Sequence, residues 1–238
     1  MDNLIQTQLM ELRKNISSKI ATRRQLEIID NIKEDNTVQL QSLADLFYER
    51  LQRPRYTSNC VDGLIYEKLL NSRNQKIVNF TSKLCPCGIV PLRSAKQMNY
   101  QDLQTLLVQR DLLAADKLTQ RKLVELAGID VKNRNWLYFT DINKIPAQDL
   151  QTIDKLWHTH SKGKFGFAVQ RQVWLNAEKD WGKLWERIGW EVDQTPCRYP
   201  EEFQWTSHGP QGHLPLFNQL RGVQVLSALF AHQAWIDY

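Results

Sequence analysis

Apolar residues recur at helical spacing along most of this chain, and a strand-like alternation is hard to find. Ile5, Leu9, Leu12, Ile16 and Ile20 form a first stripe of period 3.6. Thr22-x-x-Gln25 has the form of a capping box ahead of a second stripe through Leu26, Ile29 and Ile32. A third stripe runs through Leu40, Leu43, Phe47 and Leu51 and stops before Pro54. Residues 61–84 read as one or two further helices. The segment 85–96, CPCGIVPLRSAK, is broken by Pro and Gly and reads as a linker. The expected organisation is a helical accessory domain over 1–84, a linker over 85–96, and a second domain over 97–238.

The second domain is also helical by pattern. Leu103, Leu106 and Leu107 mark a helix near 100–110, and a second is expected from about 112 to 127, ended by Gly128. Pro146 suits the first helical position, with Asp149 in the first turn. That helix carries Leu150, Ile153, Leu156 and Trp157. An aromatic helix through Phe167 and Trp174 follows. Trp181, Leu184, Trp185 and Ile188 then fall at i, i+3, i+4 and i+7. A last helix is predicted to bury Leu216, Leu220, Val223 and Phe230. The fold class read from this pattern is all-α.

One stretch breaks the periodicity. Residues 189–215 are irregular and rich in Pro and Gly. A segment this long inside a compact domain is a binding loop or a lid more often than a passive connection. Trp190, Tyr199, Phe203 and Trp205 lie in it, and they are costly to leave in water. It is therefore expected to cover a flat apolar guest.

Composition sharpens the division. Residues 1–96 hold 15 Lys+Arg against 10 Asp+Glu, whereas 97–238 hold 16 of each, and all eight Trp lie in the neutral part. Two units with different tasks are implied. No apolar run is long enough to span a bilayer, and an N-terminus bearing Asp2 and Glu11 resembles neither a signal nor a transit peptide. Cys60, Cys85, Cys87 and Cys197 are expected to be reduced thiols, since Cys-Pro-Cys is not a structural zinc spacing. His158 and His160, two apart, would point to different faces of a helix and are read as solvated. His208 and His213 lie in the irregular stretch, and Glu201-Glu202 reads as a solvated face. No Gly-rich phosphate loop, H-E-x-x-H or G-x-S-x-G occurs, so no catalytic set is predicted. The basic run Arg50, Arg53, Arg55 would be the only support for nucleic-acid binding, and no nucleic-acid motif accompanies it. What remains is an aromatic surface flanked by Arg198 and Arg221, whose planar guanidinium groups can pair bidentately with carboxylates. That combination suits a macrocycle with acidic side arms. A helical protein-interaction scaffold without a ligand is the alternative.

Five stretches carry a family resemblance: WLYFTDINKIPAQDLQTIDKLW (136–157), GKFGFAVQRQVW (163–174), KLWERIGW (183–190), RYPEEFQW (198–205) and GHLPLFNQLRGVQVLSALF (212–230). Over about residues 90–238 the chain resembles the Genomes-Uncoupled-Four family of porphyrin-binding activators of magnesium chelatase. The resemblance implies an all-helical porphyrin-binding domain that takes protoporphyrin IX or its magnesium chelate, with no obligatory cofactor or axial ligand. It implies the large porphyrin-binding subunit of magnesium chelatase as partner, a monomeric chain, and loose association with a membrane surface. Carried onto this sequence, it places Arg198, Tyr199, Phe203, Trp205 and His213 on the loop, and Asn218 and Arg221 on the following helix. Leu156, Phe165, Phe167 and Val169 would form a greasy cup. The chain stops shortly after Trp235, short of the phosphorylatable tail of land-plant members. An algal plastid stroma or a cyanobacterial cytoplasm is the implied location.

Overall fold

The computed structural model describes residues 2–14, 18–54, 56–216, 223–236 and 238. The chain divides into two compact units, Met1–Ile89 and Val90–Tyr238.

The first unit consists of α1 (Asp2–Arg13), α2 (Lys19–Asp30), α3 (Thr37–Leu51), α4 (Cys60–Leu70) and α5 (Gln75–Leu84). α4 is its centre, packed by α2, α3 and α5, and every residue from Cys60 to Glu67 is buried. A helix covered on all sides needs its polar groups satisfied internally. Asn59 and Asp62 do this with a reciprocal capping box, and Asp62 also accepts the Arg50 Nε–H at 2.6 Å. Arg50 donates a second bond to the Leu12 carbonyl at 2.9 Å.

The first stripe is interrupted, not continuous. α1 ends at Arg13 and α2 starts at Lys19 behind the Ser18 cap, whose hydroxyl accepts the Ala21 N–H. Ile20 is 79% exposed, while the Ile16 position and the Ile5 side chain lie outside the described residues. Thr22-x-x-Gln25 is not a capping box. Thr22 already sits inside α2, and Gln25 is buried, donating to the Glu11 and Lys14 carbonyls at 2.8 and 3.1 Å. Gln25 thereby satisfies the C-terminal carbonyls of α1 that the helix itself leaves open.

The second unit holds α6 (Gln101–Val108), α7 (Leu112–Leu126), α8 (Phe139–Ile142), α9 (Ala147–Thr159), α10 (Phe167–Asn176), α11 (Trp181–Ile188), α12 (Val223–Phe230) and a final 3-10 turn at Gln233–Trp235. The fold is all-α. Among the described residues its only strands are β1 (Glu191–Val192) and β2 (Thr195–Pro196), a two-residue hairpin. Asp193 and Gln194 both have positive φ, the conformation that matches a tight hairpin to strand twist.

α9 is the hub of this unit, against α6, α10 and the 3-10 turn. Leu150, Ile153, Leu156 and Trp157 are fully buried on it. The Trp157 indole N–H donates to the Thr119 hydroxyl at 3.0 Å. Pro146 stands one residue earlier than expected, as the N-cap, while Asp149 lies in the first turn as expected and is a buried acceptor. It takes bonds from the Tyr100 hydroxyl (2.7 Å), the Ala95 N–H (3.0 Å) and the Ser94 hydroxyl. Residues 90–96 are thus tied down within this unit, where Lys96 also reaches the Leu126 and Lys144 carbonyls. Gly166 starts α10 with φ +128° against α9, and a Cβ there would lie 2.7 Å from Asp154 Oδ1. Only glycine fits that approach.

Candidate functional site

The irregular stretch after α11 is held down from below by one neighbouring motif. In G-K-F-G-F-A-V-Q the apolar positions Phe165, Phe167 and Val169 are buried. The intervening residues hold the loop. Lys164 donates to the Ser207 carbonyl at 2.9 Å and accepts from Gly212 at 2.8 Å. Gly166 N–H donates to the Leu214 carbonyl at 3.0 Å. The buried Gln170 amide spans the Gly212 and Pro215 carbonyls at 3.0 and 2.7 Å. A loop whose backbone polar groups are satisfied in this way keeps its shape without secondary structure.

His213 fastens the loop from within. It is buried, its Nδ1–H faces the Ile188 carbonyl at 2.6 Å, and its Nε2 accepts the Gln204 N–H at 2.9 Å. That pattern fixes the neutral tautomer, and burial holds the ring's pKa below the ordinary histidine value. The carbonyl of the same residue takes the Trp190 indole N–H at 2.8 Å. Trp190 stacks on Trp185 (5.3 Å, 9°), Trp185 meets Trp181 (5.5 Å), and Trp181 meets Trp174 (5.0 Å), giving a column of four indoles.

The loop aromatics divide into two sets. Trp190 and Phe203 turn inward and are buried. Tyr199 is 39% exposed and Trp205 is half-buried, its indole N–H tied to the Pro200 carbonyl at 2.8 Å. Their rings meet edge to face at 5.8 Å over Phe203. Arg198 stands exposed beside them, its backbone N–H on the Glu202 carboxylate at 2.6 Å. Arg198, Tyr199 and Trp205 therefore form one outward patch. Leu156, Phe165 and Phe167 are fully buried, and Val169 nearly so, which makes them support beneath the loop and not an open cup. Asn218 and Arg221 lie outside the described residues.

The start of that last stretch is well defined. Leu216 N–H donates at 2.7 Å to Asp116 on α7. Asp116 is buried, and its second carboxylate oxygen has no hydrogen-bond partner. Burial pushes this carboxyl up to about 7, and Tyr199 lies within reach of its charge. The far end passes into α12, which packs on α8. Tyr138 and Phe139, 55% and 51% exposed, are just before and on α8 respectively. The sequence reading overlooked this pair; large aromatics left in water within a short polar element were the available signal.

The profile of the GUN4-like family matches residues 93–233. The chain belongs to the GUN4-like family. Among its relatives, the "Uncharacterized protein ycf53" of Pyropia yezoensis is 71% identical over 238 residues, all of both chains. The chloroplastic "Tetrapyrrole-binding protein" of Arabidopsis thaliana is 38% identical over 142 residues, 56% of this chain and 54% of its own. The solved structure of GUN4 from Chlamydomonas reinhardtii superposes with a TM-score of 0.57 at 36% identity, over 61% of this chain and 95% of that one.

Elsewhere in this GUN4-like chain the structure corrects several expectations. His158 is half-buried and His160 buried, so neither is a solvated helix end. Arg50 is consumed by Asp62, and Arg53 donates to the Arg13 carbonyl at 3.0 Å, while Arg55 lies outside the described residues. The basic run is structural where it is described. All four cysteines are free thiols, with Cys87 exposed. Among the described residues no cluster of metal-ligating side chains occurs, and no helix is long and apolar enough to cross a membrane.

Proposed function

We propose that this protein is a tetrapyrrole-binding regulator of chlorophyll synthesis that takes protoporphyrin IX and its magnesium chelate and stimulates magnesium chelatase. It does so by presenting the pigment to the large porphyrin-binding subunit, with no catalytic residues of its own. The observation that carries the reading is the outward patch of Tyr199, Trp205 and Arg198 on a loop pinned by Lys164, Gly166, Gln170 and His213. Membership of the GUN4-like family supports it.

The patch supplies what a flat dianionic macrocycle needs. Aromatic faces stack on the ring and remove apolar area from water at about 25 cal/mol per Å². Arg198 pairs with one propionate, and Arg221, with Asn218, takes the other. Phe203, Leu156, Phe165, Phe167 and Val169 keep the surface rigid from beneath. His213 stays a brace, since both ring nitrogens are engaged inside the protein, and it would give the magnesium of the chelate no ligand. The chain works as a monomer with loose membrane association, in an algal plastid stroma or a cyanobacterial cytoplasm.

Titrating deuteroporphyrin while following tryptophan emission tests the reading. Saturable quenching is expected, weakened at least several-fold in Tyr199→Ala and Arg198→Ala. Adding the protein to a reconstituted magnesium chelatase assay should raise the rate of metal insertion. A flat titration with native protein would favour the scaffold alternative.

A further inference from the structure

A second set of charges, away from the loop aromatics, lies on α9. Lys155 and His158 are three residues apart on that helix and so are neighbours on its surface. Arg93 is brought to the same place by its backbone: its carbonyl accepts the Thr152 hydroxyl at 2.7 Å, and Thr152 is one turn before Lys155. Lys155 and His158 are half-buried and Arg93 is exposed. Among the described residues none of the three side chains has an ion pair or hydrogen-bond partner. The Thr159 hydroxyl, one turn on from Lys155, is buried and also unpartnered.

Among the described residues no acid answers these charges. The two carboxylates of α9 itself are turned inward, Asp149 to Ser94, Ala95 and Tyr100, and Asp154 to the Ala168 N–H at 2.8 Å. On the packed elements, Arg171 of α10 is bonded to the Phe230 carbonyl, and His232 caps the 3-10 turn. Burial and then the Arg93 charge hold Lys155 below its usual range, and burial and then Lys155 do the same to His158. Crowding like charges in a partly dry place costs free energy unless something compensates it.

We propose that Arg93, Lys155 and His158 form a binding site for a phosphate group, supplied by a soluble phosphate or by a phospholipid headgroup. A guanidinium fork, an ammonium and an imidazole offer three kinds of donor to a tetrahedral dianion, and the anion removes the repulsion among them.

The test uses the full chain without porphyrin. Inorganic phosphate is added at constant ionic strength, with the His158 ring followed by NMR. A saturable shift is expected, weakened by about tenfold or more in Lys155→Glu and Arg93→Gln and retained in Lys155→Arg. In a parallel arm, sedimentation with phosphatidic acid vesicles is compared with phosphatidylcholine vesicles. Binding in either arm that is lost in Lys155→Glu supports the site and names its source. A linear shift with no vesicle binding, or equal binding by Lys155→Glu with unchanged circular dichroism, overturns it.

Discussion

Asp62 in α4 and Asp116 in α7 are both shut away from water, yet they are partnered differently. Asp62 has the Arg50 guanidinium on one oxygen and the Asn59 N–H on the other. Asp116 has a single N–H, from Leu216, and an oxygen with nothing on it. At the centre of the first unit both oxygens of the buried carboxylate are thus matched. The base of the second unit's loop keeps a buried carboxylate, beside Leu216, with one oxygen unmatched. Unmatched buried groups lower stability, and proteins tolerate them where the site serves something other than the fold.

Breaking the closed centre should have the largest effect. Arg50→Ala leaves Asp62 as a buried charge without its partner and is expected to cost about 3–5 kcal/mol, read as a lower urea midpoint. His213→Ala comes next, at roughly 2–3 kcal/mol, because it opens a packing gap and strands the Gln204 N–H and the Ile188 carbonyl. Acid should loosen the same brace. The folded ring resists protonation while the unfolded one accepts it, so the contribution of His213 to stability is present above pH 6.5 and shrinks as pH falls below it.

Asp116→Asn sharpens the comparison from the other side. Burial holds the folded carboxyl at about 7, above the ordinary 3.8 of an aspartate, so wild-type stability drops as pH rises between those values. The amide removes that cost. The variant should therefore be more stable than wild type at pH 8, by about 1–2 kcal/mol, with the difference gone near pH 4. Melting curves at the two pH values decide it, and an equal gap at both would remove Asp116 from the comparison. The smallest stability change belongs to Tyr199→Ala. An exposed ring should cost about 0.5 kcal/mol or less, while porphyrin quenching weakens.

The helices were legible because burial on one face imposes a period, as Trp181, Leu184, Trp185 and Ile188 illustrate in α11. What escaped was chemistry without period. Gln25 looks like half of a capping box, but its amide is spent on a neighbouring helix end. Arg50 reads as part of a basic run until Asp62, twelve residues on, is brought beside it. The Asp193–Gln194 turn lacks the glycine that usually marks such hairpins. In the loop, sequence showed that aromatics were present but not which way each faced. Trp190 and Phe203 went inward because the backbone around them is set by Lys164, Gln170 and His213, all distant in sequence or silent in pattern. The brace role of G-K-F-G-F-A-V-Q was likewise invisible, since its polar positions act on carbonyls that any residue could supply.

The four stacked indoles have an optical consequence. Chromophores 5.0–5.5 Å apart share excitation, so a photon absorbed by Trp174 can be emitted or lost at Trp190. A dark acceptor docking near one end would drain the whole array, and the emission it removes would exceed one ring's portion.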